Sequence, residues 1–286
     1  MTFDAQALEL CEIRDMHFAY SDRDTMLYAL SVGMGADPIN AAELPFVYEG
    51  AGLRAVPTMA VVLASTGIIR RTGVDLSKVL HGEQRLTLHR PLPVSGELLA
   101  TSRVAAVYDK GAGKGAVLLL ETKARTLDDQ APLFTFVMTI IARGDGGFGG
   151  PQGAGPEPHP IPARPPDTAE RFATRPDAAL LYRLNADRNP LHADPKAAAR
   201  AGFERPILHG LATYGIACRA VLKAACDYQV DAIRTFDARF SAPVYPGDEL
   251  VIEIWKNGDH VAFRARVPAR DTIVLNNGRC SIGAPQ

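Results

Sequence analysis

The stretch YRLNADRNPLHADPKAAARAGFERPILHG, running from Tyr182 to Gly210, decides how the rest of this chain is read. It sets an acid, Asp187, an amide, Asn189, and an imidazole, His192, within six residues, shortly before an apolar helix. On one regular helix Asp187 and His192 would stand roughly 140° apart and could not converge. Asn189-Pro190 can bend the chain between them, because proline drives the preceding residue out of the helical region and is itself tolerated in a first helical turn. A structural reading accounts for part of the stretch: Asp194-Pro195 is an N-cap followed by N1, residues 196–201 favour a helix, and Gly202 suits its end. That punctuation leaves His192 and the upstream Asn-Pro unexplained.

Beyond Pro206 the sequence continues ILHGLATYGIACRAVLKAAC. Leu211, Tyr214, Gly215, Cys218, Val221, Leu222 and Ala225 recur at intervals of three and four, and the opposite face carries little charge before Arg219 and Lys223, so the spacing predicts a buried helix. Pro206 and Gly210 place its start near 209–211, where the first backbone N–H groups lack intrahelical partners. A glycine there admits a ligand close to the backbone, and the helix dipole favours developing negative charge, which makes the Gly210 N–H a candidate oxyanion donor.

Working outward, residues 144–167 read GDGGFGGPQGAGPEPHPIPARPPD, which holds neither helix nor central strand. The run is expected to be a linker, flexible at its glycine end and stiffer at its proline end. It divides the chain into residues 1–143 and 168–286. Pro93-Val94-x-Gly96-Glu97-Leu98 is echoed by Pro243-Val244-x-x-Gly247-Asp248-Glu249-Leu250, and Pro57 before one apolar segment by Pro206 before the other, so two copies of one fold are expected. In the first, a short polar lead precedes a helix within 22–35, the apolar segment 58–69 is read as the central helix, and 84–88, 97–108, 116–126 and 133–142 read as strands, with turns at His89–Gly96, Lys110-Gly111 and Asp128-Asp129. In the second, the strands are 236–242, 249–255, 261–267 and 272–282. Laying Asp22-Arg23 over Asp187-Arg188 puts Leu27 where His192 stands, so the first copy lacks the acid–imidazole pair.

At 286 residues and 47% hydrophobic the chain can bury one large core or two modest ones, and a net charge of −1 gives no reason to expect nucleic acid or an anionic membrane surface as partner. Cys11, Cys218, Cys226 and Cys280 form no C-x-x-C pair and no zinc spacing with histidine, and read as free thiols in a reducing compartment. There is no signal peptide, no apolar run long enough for a bilayer and no Ser-Lys-Leu-type end, so the expected location is the cytoplasm.

The sequence DRNPLHADP, followed by AGF and PILHGL, closely resembles the motif of the (R)-specific 2-enoyl-CoA hydratases, the hydratase 2 group of the MaoC-like dehydratases. The resemblance runs from Asp24 to the ARFSAPVYPGDEL segment and Trp255-Lys256, with Ala186 where the family has glycine. It implies an α+β double hot-dog fold, each half an antiparallel sheet wrapped around a long central helix. It further implies hydration of trans-2-enoyl-CoA to (3R)-3-hydroxyacyl-CoA, with Asp187, His192 and Gly210 as the catalytic residues. Arg188, Asn189, Pro190 and Leu191 would line the substrate, and His81-Gly82, Lys110 and Phe240 would contact acyl-CoA. The first half would accommodate the acyl chain. Coenzyme A belongs to the substrate, no metal or other cofactor is called for, and a homodimer of double hot-dog chains is the expected assembly. Which of Asp187 and His192 is the base stays open, because a coupled pair titrates as a unit. Two rival readings are a hot-dog thioesterase, which would not need the Asn-Pro-x-His, and an acyl-CoA-binding module, which would not need the pair.

Overall fold

The structure, a computed structural model, describes residues 8, 10–153 and 155–283. In chain order the elements are β1 (Glu12–Tyr20), α1 (Asp22–Ser31), α2 (Leu44–Val47), α3 (Ala60–Leu63), β2 (Val79–Leu88), β3 (Gly96–Asp109), β4 (Ala116–Thr126) and β5 (Pro132–Ala142). Then follow β6 (Thr168–Ala173), α4 (Ala178–Tyr182), α5 (Pro195–Arg200), α6 (Gly210–Cys226), β7 (Ile233–Phe240), β8 (Glu249–Asn257), β9 (His260–Val267) and β10 (Thr272–Ile282). The strands make one ten-stranded sheet in the order β1-β3-β4-β5-β2-β7-β10-β9-β8-β6, every neighbouring pair antiparallel. From either edge inward the sequence of strands is the same, β1 matching β6 and β2 matching β7, which is the double hot-dog arrangement. The halves join where β2 pairs with β7, from Glu83 opposite Arg239 to Thr87 opposite Thr235.

The α6 helix is the hub of the second half. From Ala212 to Leu222 every residue except Arg219 is buried, with Tyr214, Ala217, Cys218, Val221 and Leu222 fully so, against core positions of β7 to β10 such as Phe236, Phe263, Ile252 and Leu275. Burying a large apolar side chain of this kind is worth about 1.5–3 kcal/mol. Gly215 is required on this helix, since a Cβ there would lie 2.5 Å from Val32 Cγ1 and 2.9 Å from Tyr28 Oη of the other half.

The corresponding helix of the first half is much shorter than expected. Only Ala60–Leu63 is α-helical, preceded by a 3₁₀ turn at Pro57–Met59; the chain leaves the helix at Ala64 and turns through a left-handed Gly67 into a 3₁₀ segment, Ile68–Arg71. Val61-Val62 favours extended structure and Ser65-Thr66-Gly67 is a stop, so the apolar content of 58–69 reports burial more than helix length. Two strands, β1 and β6, go beyond what the sequence pattern predicts; both are sheet edges whose faces are largely exposed and hence weakly patterned.

Two further expectations change. The glycine end of the linker is held in place, because the Asp109 carboxylate accepts the N–H groups of Gly111, Gly147 and Gly149 at 2.7–2.8 Å. Further on, Arg85 donates to Glu157 O (3.0 Å), Arg239 donates to Pro156 O and Asn277 donates to His159 O (2.7 Å), so the linker is strapped across the seam between β2 and β7. The overlay of Asp22 on Asp187 also fails: Asp22 opens α1 directly after β1, as Ala178 opens α4 after β6. Tyr28-x-Leu30 then matches Tyr182-x-Leu184, and Gly33 falls opposite Asp187.

Candidate active site

Four features of the local sequence build the loop after α4. Asp187 Oδ1 accepts the Asn189 N–H at 2.9 Å, and Asn189 Oδ1 accepts the Leu191 N–H at 3.0 Å, two successive side-chain turns. Asn189, held extended by the following proline (ψ 126°), hands over to a single 3₁₀ turn, Pro190–His192. Asp194 then caps α5 by accepting from Lys196 N–H at 2.8 Å. The bend brings Asp187 Oδ2 to 3.9 Å from His192 Nε2, a convergence a continuous helix would forbid. The two atoms are too far apart to bond each other, but an oxygen about 2.8 Å from both closes a triangle on that side.

His192 is buried and its Nδ1–H donates to Ile207 O at 2.8 Å, which fixes the tautomer and leaves the Nε2 lone pair facing Asp187. Burial pushes its pKa down, against the pull of the Ile207 carbonyl and the Asp187 charge, so the ring is neutral near pH 7. Asp187 itself is exposed, with 53% of its side chain accessible, and so lies open to a ligand.

Gly210 is the first residue of α6, where backbone N–H groups lack intrahelical acceptors, and it is exposed. A Cβ on Gly210 would come within 3.0 Å of the Phe240 ring. Phe240 in turn packs on His81, ring centroids 4.8 Å apart. His81 is aimed here by a bulge: the pairing of β2 with β5 slips between His81 and Glu83, leaving Gly82 as the extra residue against Ile141. The His81 Nε2–H donates to Glu83 O at 3.1 Å, and burial pushes this imidazole down to about 4.

Asp187, His192, Gly210, Phe240 and His81-Gly82 therefore gather at one place, the end of α6 beside the β2–β7 seam. Arg188, Asn189 and Pro190 are exposed on the same loop and Leu191 is half-buried. Lys110 stands apart, exposed in the β3–β4 hairpin, where its N–H bonds to Gly115 O. Following the register from His81 through Ile140 and Leu118 to Val107 places that hairpin three strands away at the same end of the sheet, about 14 Å at the usual strand spacing.

Two residues not singled out from the sequence complete the cluster. His209, the N-cap of α6, stacks on His192 with centroids 3.7 Å apart and planes at 25°, and its Nε2–H donates to the Asp187 carbonyl at 3.1 Å. The Tyr182 ring lies 5.0 Å from His209, tilted by 45°. The available signal was His209 itself, a histidine at an N-cap position where serine, threonine or aspartate would satisfy the helix better. Asp187, His192 and His209 each offer a ligand atom within 4.8 Å of the others. The two imidazole planes, however, are stacked 3.7 Å apart and only 25° from parallel, so no point about 2 Å from a nitrogen of each lies in both ring planes, and the trio does not fit a tetrahedral metal.

The fold and this cluster define a MaoC-like dehydratase. Residues 18–144 match the MFE-2 hydratase 2 N-terminal domain, and residues 158–277 match the MaoC like domain. The chain is 39% identical over 286 residues to Enoyl-CoA hydratase ChsH3 of Mycobacterium tuberculosis, covering 97% of this chain and 98% of that one. Among solved structures it superposes on the MaoC-like dehydratase from Phytophthora Capsici with a TM-score of 0.86 at 29% identity, covering 98% of this chain and 99% of that one. The full-length peroxisomal multifunctional enzyme type 2 from Drosophila melanogaster gives 0.83 at 35%, covering 95% of this chain and 48% of that one. The chain belongs to the MaoC-like dehydratase family, in its two-hot-dog hydratase 2 form. Among the described residues no helix is long and apolar enough to cross a membrane, and the four cysteines are free, three of them buried.

Proposed function

We propose that this protein catalyses the reversible hydration of trans-2-enoyl-CoA to (3R)-3-hydroxyacyl-CoA. One observation carries the reading: a carboxylate oxygen and an imidazole lone pair lie 3.9 Å apart, next to an exposed N1 glycine on a 17-residue helix. A water held between Asp187 Oδ2 and His192 Nε2 adds through its oxygen to C3. The C2=C3 electrons move toward the thioester carbonyl as the pair takes the water's proton. The Gly210 N–H and the positive end of α6 stabilise the resulting enolate oxygen; loss of one such donor raises a barrier by about 3–4 kcal/mol. Collapse of the enolate takes the proton from the pair onto C2, so atoms and charge balance with no metal or redox cofactor. Arg188, Asn189, Pro190 and Leu191 border the substrate, Asn189 by shaping the loop. His81, Gly82 and Phe240 pack the pantetheine side, and Lys110 reaches the far end of coenzyme A. The name Enoyl-CoA hydratase borne by the 39% identical relative supports this reading.

Among the described residues of the first half, residues 1–143, none matches His192 in the turn that leaves the first helix, and we assign that half the acyl chain, with residues 144–167 as the strap and 168–286 as the catalytic half. A homodimer of such chains and a cytoplasmic location belong to the same reading, and the near-neutral charge is compatible with both. Mixing the protein with crotonyl-CoA and following loss of the conjugated absorbance, with free thiol monitored in parallel, tests the function. Absorbance loss without thiol release is expected. Stoichiometric thiol release would indicate a thioesterase, and binding without either change an acyl-CoA-binding module.

A further inference from the structure

The catalytic half contains an imidazole that the reaction above does not use. His209 is 2% exposed, yet its Nδ1 has no hydrogen-bond partner. Its position at the N-cap of α6 brings no cap hydrogen bond from its side chain to the helix. Instead the ring spends its Nε2–H on the main-chain carbonyl of Asp187, twenty-two residues earlier, and lies flat against His192. One side chain thus touches both members of the acid–base pair, while its own backbone leads directly into Gly210.

Building on the hydratase reading, we propose that His209 is a positioning residue, which fixes the spacing between Asp187, His192 and the Gly210 donor by bonding the first, stacking on the second and preceding the third. The Asp187 side chain is exposed and its Oδ1 is occupied by the Asn189 N–H, while its main-chain carbonyl is anchored by the His209 ring. Two contacts separate two tasks. The Nε2–H bond to the carbonyl holds the carboxylate in register with α6; a misplacement of about 1 Å at a reacting group costs on the order of 100-fold in rate. The stacked ring keeps water from the inner face of His192, which preserves the neutral imidazole with its lone pair outward. The groups facing His209 are His192 and Asp187 on the loop, Arg183 beyond α4 and Tyr182 on α4. Burial and the nearby His192 both disfavour a charge on His209, so it acts as a neutral donor.

Two variants separate these tasks. His209→Phe keeps the stack and removes the donor, and His209→Gln keeps an amide donor near the Nε2 position and removes the ring. With crotonyl-CoA, His209→Phe should lower kcat by about 10- to 100-fold at a KM within about threefold, with the acid limb of the pH profile unmoved. His209→Gln should recover most of kcat while the acid limb moves to higher pH, as water reaches His192. Nitrogen-15 histidine spectra of the wild type should show His192 protonated at Nδ1 and His209 at Nε2. Wild-type kinetics and an unchanged profile in both folded variants would overturn the proposal, as would a His209 protonated at Nδ1. If the wild type proved inactive on every enoyl-CoA the hydratase reading would fall, while the spectra, and the His192 tautomer in either variant, would still decide whether His209 positions that ring.

Discussion

The side-chain amide of Asn185 donates to the hydroxyl of Ser31 over 3.0 Å, and these two residues hold the same place in the two halves of the chain. Beside them Tyr28 and Tyr182, also equivalent, bring their rings to 6.1 Å. Each half therefore meets the other through the same segment, the turn that leaves its first helix. In the second half that segment runs on through Asp187 to His192 and reaches Ala193-Asp194-Pro195; in the first it reaches Ala36-Asp37-Pro38 with three residues fewer. The missing length is that of the turn that delivers the histidine. Gly33, opposite Asp187, is filled from across the interface: a Cβ there would sit 2.1 Å from Phe172 Cζ, and φ is +90°.

Gly33→Ala should therefore destabilise the protein although it adds a single methyl group. Both the left-handed backbone and the Phe172 ring oppose it, and a loss of more than about 1 kcal/mol is expected in urea unfolding. An unchanged midpoint would mean that Phe172 moves aside freely.

Just beyond Gly33 the first half contributes Glu43, whose side chain is 1% exposed and accepts from Arg219 Nε (2.7 Å) and Nη2 (3.0 Å), from Tyr228 Oη (3.1 Å) and from the Gly35 N–H (2.9 Å). Glu43→Ala strands a largely buried guanidinium and should cost about 3–5 kcal/mol, whereas Glu43→Met with Arg219→Met should cost much less. Thermal melts of the two variants check this; equal losses would show that the pair, and not the stranded charge, carries the stability.

Stability should also fall with acid in a defined window. His81 and His209 are both pushed down to about 4 by burial, against an ordinary value of 6.5. Between those values the unfolded chain binds protons that the folded chain refuses, so their contribution is complete above pH 6.5 and is lost as pH falls toward 4. Melting temperature should decline across that range, and more shallowly in His209→Phe. A flat profile from pH 6.5 to 4 would contradict the buried, neutral state of both rings.

Much of this was legible from residue types alone. Asn189-Pro190 announced the bend, Asp194-Pro195 and Gly202 bounded α5 as observed, and Gly210 did open α6. These features are local, set by proline geometry, caps and glycine. The length of α3 was not legible, because Val61 and Val62 are buried whether the chain is helical or not. Nor were β1 and β6, where edge exposure dilutes the alternation and, in β1, a left-handed Asp15 breaks it. The role of His209 is not legible for a third reason: its partners lie 17 and 22 residues away, and only the packing of the loop against the helix start brings them together.

The most direct test of the account is the hydration rate of crotonyl-CoA by Asp187→Asn and His192→Gln, with acyl-CoA affinity measured alongside and the product's configuration determined for the wild type. Each variant should lose about 10²–10⁴-fold in turnover while binding the substrate nearly as before, and the wild-type product should be the (3R) alcohol. Wild-type turnover in either folded variant, or a (3S) product, would contradict it.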